Sequence, residues 1–492
     1  MNKMKYLLPV LFLLASFNNF GQVVKFEKVY GGSGYDYGNS VIQVFDKGYV
    51  VAGNTTSYGN GNNDVYLIKT DSNGYTQWQR TFGGINVDQS FSVKQTRDSG
   101  LVIAGYTNSF GHGGYDMYVI RTDRNGDTLW TKTYGGSNWD FAYSIDTTND
   151  GGFIVAGGTY SYGKGDEDMY LVKLNALGDT LWTKTYGGLH QEEIASVHQT
   201  ADSGFIFTGE TKSFEDSIAG DIYIVKTNTL GDTTWTHHYG WANEDKPADI
   251  IQTIDGGYVM AGGTDSYGYG GFDCLIMRLN SIGDSLWTRN YGTLHYNFAS
   301  SVVETKSRKI AFANTTEDNG AGARDFCLFL ADNNGYFLNV TSEGSVAVDE
   351  VYSISKCSDN GFIMCGYTNG FNVEQTDVFL VKTDSLGFSS NVISPSNSIT
   401  EINKTENGIK VFPNPVKSNS TITIEFSGLE KFRSQADIVI SDITGNTVKK
   451  ISSTPINKTL SVSIADLETG LYFISIQTLG DEIGHTKFVY LK

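Results

Sequence analysis

Carboxylates recur in this chain at two fixed places. One series is Asp64, Asp116, Asp168, Asp221, Asp273, Asp325 and Asp377; the other is Asp36, Asp88, Asp140, Glu192, Asp245 and Asp349, interrupted by Asn297. Aromatic residues recur between them at Tyr58, Phe110, Tyr162, Phe214, Tyr267 and Phe371, most of them followed by glycine. Carboxylates sharing one face could hold calcium, which takes six to eight oxygens at about 2.5 Å. They could also accept sugar hydroxyls or act as the acid pair of glycoside hydrolysis. Against these stands a structural role, because an Asp in a glycine-rich loop accepts backbone N–H bonds and fixes the loop. Recurrence in every copy favours the structural role for the first series, since a ligand seldom needs seven equal contacts. The chain has no calcium-loop pattern, so calcium is a minority reading and no cofactor is expected. The second series varies more. Asp36, Asp88, Asp140, Asp245 and Asp349, with Tyr58, Phe110, Tyr162 and Tyr267, form the candidate ligand-contacting set.

The elements that carry these residues form a repeat. A turn glycine stands at Gly74, Gly126, Gly178, Gly231, Gly283, Gly335 and Gly387, every 52 or 53 residues. Trp follows four residues later at Trp78, Trp130, Trp182, Trp235 and Trp287, and is replaced by Asn339 in the sixth copy. Within one copy, Phe153 to Gly157 is an unbroken apolar run suited to a strand buried on both faces. The Asn149–Gly152 and Asn175–Gly178 segments are tight turns. Each copy therefore predicts four antiparallel strands, and units of this kind must stack to bury their faces. The chain is all-β, with a seven-bladed β-propeller over 22–388. The seventh copy lacks its Trp-type strand after Gly387, and a matching segment, Phe26–Gly32, lies at the other end. The N-terminal strand is thus expected to close the last blade, leaving no open edge. The long loops and both acidic series fall on one face, the tight turns on the other. The sixth copy is the most degenerate, with Ser307-Arg308-Lys309 in place of an Asp-Gly turn.

Composition narrows the function. The chain has 492 residues, with Lys plus Arg 36 against Asp plus Glu 54, a net charge of −18. A surface of that sign repels phosphate backbones, so nucleic acid is not an expected partner. Lys3 and Lys5 precede an apolar run, Tyr6 to Ala15, and small residues reach Gly21; this is the order of a signal peptide over 1–21. No later segment is apolar enough to cross a bilayer, so the mature chain is expected to lack a transmembrane segment. Cys274, Cys327, Cys357 and Cys365 have no metal-ligand spacing. Cys357 and Cys365 flank one hairpin and could form a disulfide, but Cys365 replaces alanines of other copies and reads as a small core residue. None of the seven histidines recurs at a blade position or sits beside a nucleophile motif, so no catalytic residue is assigned.

After Gly387 the chain becomes Ser-, Asn- and Thr-rich, and 389–408 is a linker. Short alternating strands then fill 409–492 and predict a small β-sandwich. Four motifs stand in order here: Val411-Phe412-Pro413-Asn414-Pro415, the Asp442–Asn446 turn, Leu467 to Tyr472 with Gly470-Leu471-Tyr472, and the closing Lys487 to Lys492. This segment resembles the C-terminal sorting domain of type IX secretion substrates in the Bacteroidetes. The resemblance implies recognition by the type IX machinery through Phe412, Pro413, Asn414, Pro415, Gly470, Leu471 and Tyr472. It also implies passage through the periplasm to the outer cell surface or the medium. The repeat region resembles bacterial secreted seven-bladed β-propeller repeat proteins. Its Gly-to-Trp phrase is similar to the blade-docking motif of quinoprotein propellers, without their eight units or vicinal cysteines.

The expected function is a secreted or cell-surface non-enzymatic propeller that binds a protein or glycan through its loop-rich face. The alternative is a secreted carbohydrate-active hydrolase or lyase using carboxylates on that face. A cleft holding two non-repeating carboxylates within about 10 Å would favour the alternative.

Overall fold

The computed structural model describes residues 24–389, apart from 215–218, 267, 269–270, 293 and 318–321, and residues 409–491, apart from 413–415, 418–420, 427–435, 442–446, 454–458, 468–469 and 479–480. The proposed signal peptide, the linker beyond Ser389, Tyr267, Pro413-Asn414-Pro415 and the Asp442–Asn446 turn lie outside the described residues. The chain divides into two compact units, 1–393 and 394–492. No helix occurs among the described residues.

The first unit consists of four-stranded antiparallel sheets that resemble a propeller; seven occur among the described residues. We number them one to seven in chain order. Sheet three shows the pattern: Asp140–Thr147, Phe153–Thr159, Asp168–Leu174 and Thr180–Tyr186 lie side by side in that order. The two middle strands are buried along their whole length and the last is mostly exposed, a gradient that follows the apolar content of the runs. Sheet seven takes its outer strand from the start of the chain. Phe26–Tyr30 pairs with Asp377–Thr383, with Lys28 opposite Leu380.

Repeated side chains join one sheet to the next. Val93 N donates to Ser40 Oγ at 3.2 Å and Val197 N to Ser144 Oγ at 3.1 Å. The same bond runs from sheet one back to sheet seven, where Val41 N donates to Ser353 Oγ at 3.3 Å. A second tie joins Tyr134 Oη to the Gly178 carbonyl at 2.6 Å; its counterpart runs from Tyr30 Oη to the Gly74 carbonyl at 2.6 Å. The Gly-to-Trp phrase has a matching cause. Trp130 lies against Gly178 of the following sheet, whose φ is 77° and where an added Cβ would stand 2.8 Å from the indole. Only glycine gives both the left-handed backbone and the space. In the closing strand Phe26 takes the place of Trp, against Gly74.

Sheet six departs from the others in a coordinated way. Elsewhere a buried Lys or Arg on the third strand reaches a turn aspartate, as Lys173 does to Asp150 at 2.9 Å and Lys382 to Asp359 at 2.9 Å. In sheet six Leu330 replaces the cation and Ser307 stands in the turn. The turn acid is lost where its cation is lost. Asn339, in place of Trp, donates from Nδ2 to the Leu386 carbonyl at 2.8 Å and keeps the tie to sheet seven.

All four cysteines are free and buried. The Cys357–Cys365 disulfide does not form: Cys365 packs in the core, its Sγ 3.3 Å from the Gly38 carbonyl. In the second unit the described strands make a three-stranded sheet and a five-stranded sheet, around a core that includes Val411, Ile422, Ile438, Tyr472, Ile474 and Tyr490.

Candidate functional site

The two acidic series meet, one residue of each, where one sheet hands over to the next. Asp36 is fully buried; its Oδ2 accepts Gly32 N at 2.8 Å and Ser57 Oγ at 2.6 Å. Asp88 and Asp140 repeat this with Gly84 N and Ser109, and with Gly136 N and Ser161. Asp245 accepts Trp241 N at 2.9 Å and Ser266 Oγ at 2.7 Å, and Asp349 accepts Ser345 N at 2.6 Å. These five residues, candidates for ligand contact, are fully buried, and one carboxylate oxygen of each accepts the N–H and O–H donors of its own junction. Asp377 abuts Asp36 across the last such junction, and burial followed by the charge of Asp36 lifts its carboxyl to about 6.

The loop aromatics also close gaps between sheets. Tyr58 Oη donates to the Gly31 carbonyl at 2.7 Å and Tyr162 Oη to the Gly135 carbonyl at 2.9 Å. Their rings lie on Tyr66 and Tyr170, and Phe110 lies on Tyr118. These three rings are half exposed but cover junctions and do not surround a cavity.

The cavity lies elsewhere. A chamber of about 710 Å³ is lined by the first strands of all seven sheets. Every first strand carries a bulge at the same place, between Ala142 and Ser144 in sheet three and between Ile194 and Ser196 in sheet four. The extra residue breaks the two-residue alternation. Two positions per strand therefore face the cavity, the residue after the buried acid and the bulged residue itself. The first set is Tyr37, Gln89, Glu193, Lys246, Phe298 and Glu350, with Phe141 at the same register of sheet three but outside the lining; the second is Asn39, Phe91, Tyr143, Ala195, Ala248, Ser300 and Tyr352. Both sets differ from sheet to sheet, while the residues around them repeat.

The differences are arranged on sides. Phe91, Tyr143 and Tyr352 fill the cavity wall at sheets two, three and seven, whereas Ala195, Ala248 and Ser300 leave room at sheets four to six. On the roomy side stands a group of carboxylates, of which only Glu193 has an acidic counterpart, Glu350 in sheet seven. Glu193 is directly opposite Glu210 across the strand pair. Buried Glu167 accepts Tyr160 Oη at 2.8 Å and Gln191 Nε2 at 3.1 Å. Lys212 lies 3.7 Å from Glu210, and Lys246 pairs with Glu244 at 2.7 Å. Glu193 has no hydrogen bond or ion pair among the described residues and opens onto the cavity. Although Glu193 is exposed at the cavity, desolvation by its neighbours first, then the charges of Glu167 and Glu210, lift its carboxyl to about 6 against the opposing charges of Lys246 and Lys212. From Phe91 and Tyr143 a run of rings leaves the cavity through Tyr106 and Phe141 to Trp139 and Tyr160, centroids 5.0 to 6.4 Å apart. Trp139 is 52% exposed at the outer end.

Below the bulges a smaller chamber of about 210 Å³ contains His198. Its Nδ1 lies 3.6 Å from Asp146 and its Nε2 3.4 Å from Asp249. Burial pulls the imidazole down, but the two carboxylates outweigh it and its pKa is raised. The sequence had set this histidine aside because it does not recur. Its signal was position: it occupies the strand register of Asp146 one repeat on, where a cross-sheet partner is expected.

The first unit is a repeat of four-stranded sheets with a cavity lined by the first strand of each. Residues 410–490 match the family described as the secretion system C-terminal sorting domain. The protein is a type IX secretion substrate, sent to the cell surface or the extracellular space. Of the named sorting residues, Tyr472 is buried in the core of the second unit and Gly470 begins the strand Gly470–Thr478. Over 259 residues the chain is 25% identical to the regulatory protein FlaEY of Caulobacter vibrioides; this spans 47% of the chain but only 26% of that protein. Among solved structures, BBS1N in complex with ARL6DN has a TM-score of 0.44 at 11% identity, covering 74% of this chain and 97% of its own. A polysaccharide lyase has a TM-score of 0.48 at 11% identity, with coverages of 76% and 94%. An α-L-arabinanase of Penicillium chrysogenum, complexed with arabinobiose, has a TM-score of 0.40 at 13% identity, with coverages of 60% and 92%.

Proposed function

We propose that residues 22–388 form a closed seven-bladed propeller, sealed by Phe26–Tyr30, that binds a glycan at the mouth of its axial channel. The second unit, read as a small β-sandwich, serves only export. The observation that carries the glycan reading is the break in the repeat. Seven sheets of nearly one sequence diverge at the positions that face a common cavity, where they place aromatic faces beside carboxylates. Flat rings stack on sugar faces, and carboxylates accept sugar hydroxyls. Neither the buried Asp hubs nor the junction tyrosines take part.

The hydrolase or lyase alternative rests on Glu193 and Glu210, a non-repeating acid pair within reach of one bound molecule. Lys212 and Lys246 beside them favour holding a ligand over protonating a leaving group. A glycan screen of the full chain beside an Ala248→Trp variant separates these readings. Retention of one glycan class by the parent, lost in the variant, supports binding at the mouth. Shortening of the bound oligosaccharide, abolished by Glu193→Gln, would establish the enzyme. Equal retention by parent and variant would remove the mouth as the site.

A further inference from the structure

The mouth favours one kind of sugar. This step rests on the glycan reading above. Glu193 faces the cavity on the side that Ala195 and Ala248 leave open, with Glu210 directly across the strand pair. The nearby acids have protein partners, Glu210 in Lys212, Glu244 in Lys246 and Glu167 in Tyr160 and Gln191. Glu193 makes no hydrogen bond or ion pair among the described residues, although the charges of Lys246 and Lys212 reach it. A second feature shows that the acids are built in. Gly158, like Gly263 of sheet five, stands where the remaining sheets carry Asn54, Tyr106, Glu210, Thr315 or Tyr367, and a Cβ at Gly158 would strike the Glu167 carboxylate. The aromatic run from Phe91 to Trp139 begins at the wall facing Glu193 and leads outward, long enough for more than one ring.

We propose that the mouth takes an amino sugar with a free ammonium, seated on Glu193 and Glu210, and that further sugar units lie along Phe141 and Trp139. A carboxylate without a protein partner gains a charge-assisted bond from an ammonium. A neutral hydroxyl or an acetamide supplies only an ordinary one. The apolar faces of the same sugar meet the rings. A bound cation also draws the proton from Glu193, so binding near pH 6 releases protons.

Calorimetric titration of the full chain tests this with four probes: a glucosamine tetramer, its fully N-acetylated counterpart, a glucose tetramer and a tetralysine peptide. The glucosamine tetramer is expected to bind about tenfold more tightly than the other two sugars. At pH 6 it should release protons, read from the dependence of the heat on the buffer. Glu193→Gln should bring it to the level of the acetylated tetramer, and Trp139→Ala should weaken all the sugars alike. Equal binding of the three sugars by the parent, or binding without proton release, overturns the ammonium inference and leaves the glycan reading standing. Binding of tetralysine with no sugar bound, or of no probe at all, overturns both. The proton-release measurement uses the unaltered chain, so the inference stays testable if a variant does not fold.

Discussion

Alkaline conditions should loosen the seam where the two ends of the repeat region meet. Glu343 ends the fourth strand of sheet six, and its Oε1 accepts Ser389 N at 3.2 Å. Ser389 Oγ donates to Glu27 Oε1 at 2.7 Å, and Glu27 lies in the closing strand. Burial, with Glu27 close by, lifts the Glu343 carboxyl to about 7 from 4.5. Its folded pKa is raised, so the folded state keeps a proton that the unfolded chain releases. The stabilisation is complete below about pH 4.5 and is lost as pH rises through 7. A shift of that size has a ceiling of about 3.4 kcal/mol at 1.36 kcal/mol per unit. Partial solvent contact and relaxation reduce this to about 1.5 kcal/mol. For a unit of this length that is about 2 °C in melting temperature between pH 5 and 8. Glu343→Gln keeps the acceptor from Ser389 and removes the charge. Calorimetric melting at pH 5, 6, 7 and 8 should show a shallower fall for the variant, which should be the more stable of the two at pH 8. A variant with the slope of the parent, or one less stable at pH 8, would refute the reasoning.

Three further predictions concern the repeated sheets. His198→Ala leaves Asp146 and Asp249 facing each other across the lower chamber. It should cost about 2 kcal/mol in denaturant unfolding at pH 6; because the histidine is raised, the difference should narrow as pH climbs past its folded pKa. At the Lys173–Asp150 pair the two removals should differ. Lys173→Leu leaves a half-exposed carboxylate that water solvates and should cost under about 1 kcal/mol, whereas Asp150→Ala leaves a buried ammonium short of a partner and should cost about 2; equal losses in urea melts would contradict this. Gly157→Ala places a Cβ against the Phe141 carbonyl, which strand pairing prevents from moving, and should lower stability by about 3 kcal/mol or abolish folding; an unchanged melt would mean that the first strand can shift.

The strands, turns and repeat were legible because glycine, the apolar runs and Trp recur at one spacing. The sorting motifs were legible because they stand in order. The mouth was not. Strict alternation along Asp140–Thr147 sends Phe141 and Tyr143 to one side and continues with Ile145, whereas the bulge leaves Tyr143 at the cavity and returns Ile145 to the core. The sequence therefore drew attention to Asp36 and its counterparts, whose regularity is the mark of their structural role. Comparing the seven copies with one another would have exposed the mouth, since Glu193 stands where the other copies have Tyr37, Gln89, Phe141, Lys246, Phe298 and Glu350. Recurrence marks what holds the sheets together, and divergence at a shared cavity marks what meets a ligand.

Hydrogen–deuterium exchange of the full chain, with and without an oligosaccharide retained in the screen, tests this division most directly. The account predicts that added protection is confined to 193–195, 246–248 and 296–300 together with the segment around Trp139. Protection centred on the junction loops at Tyr58, Phe110 and Tyr162, or on the tight-turn face, with none at the mouth, would contradict it.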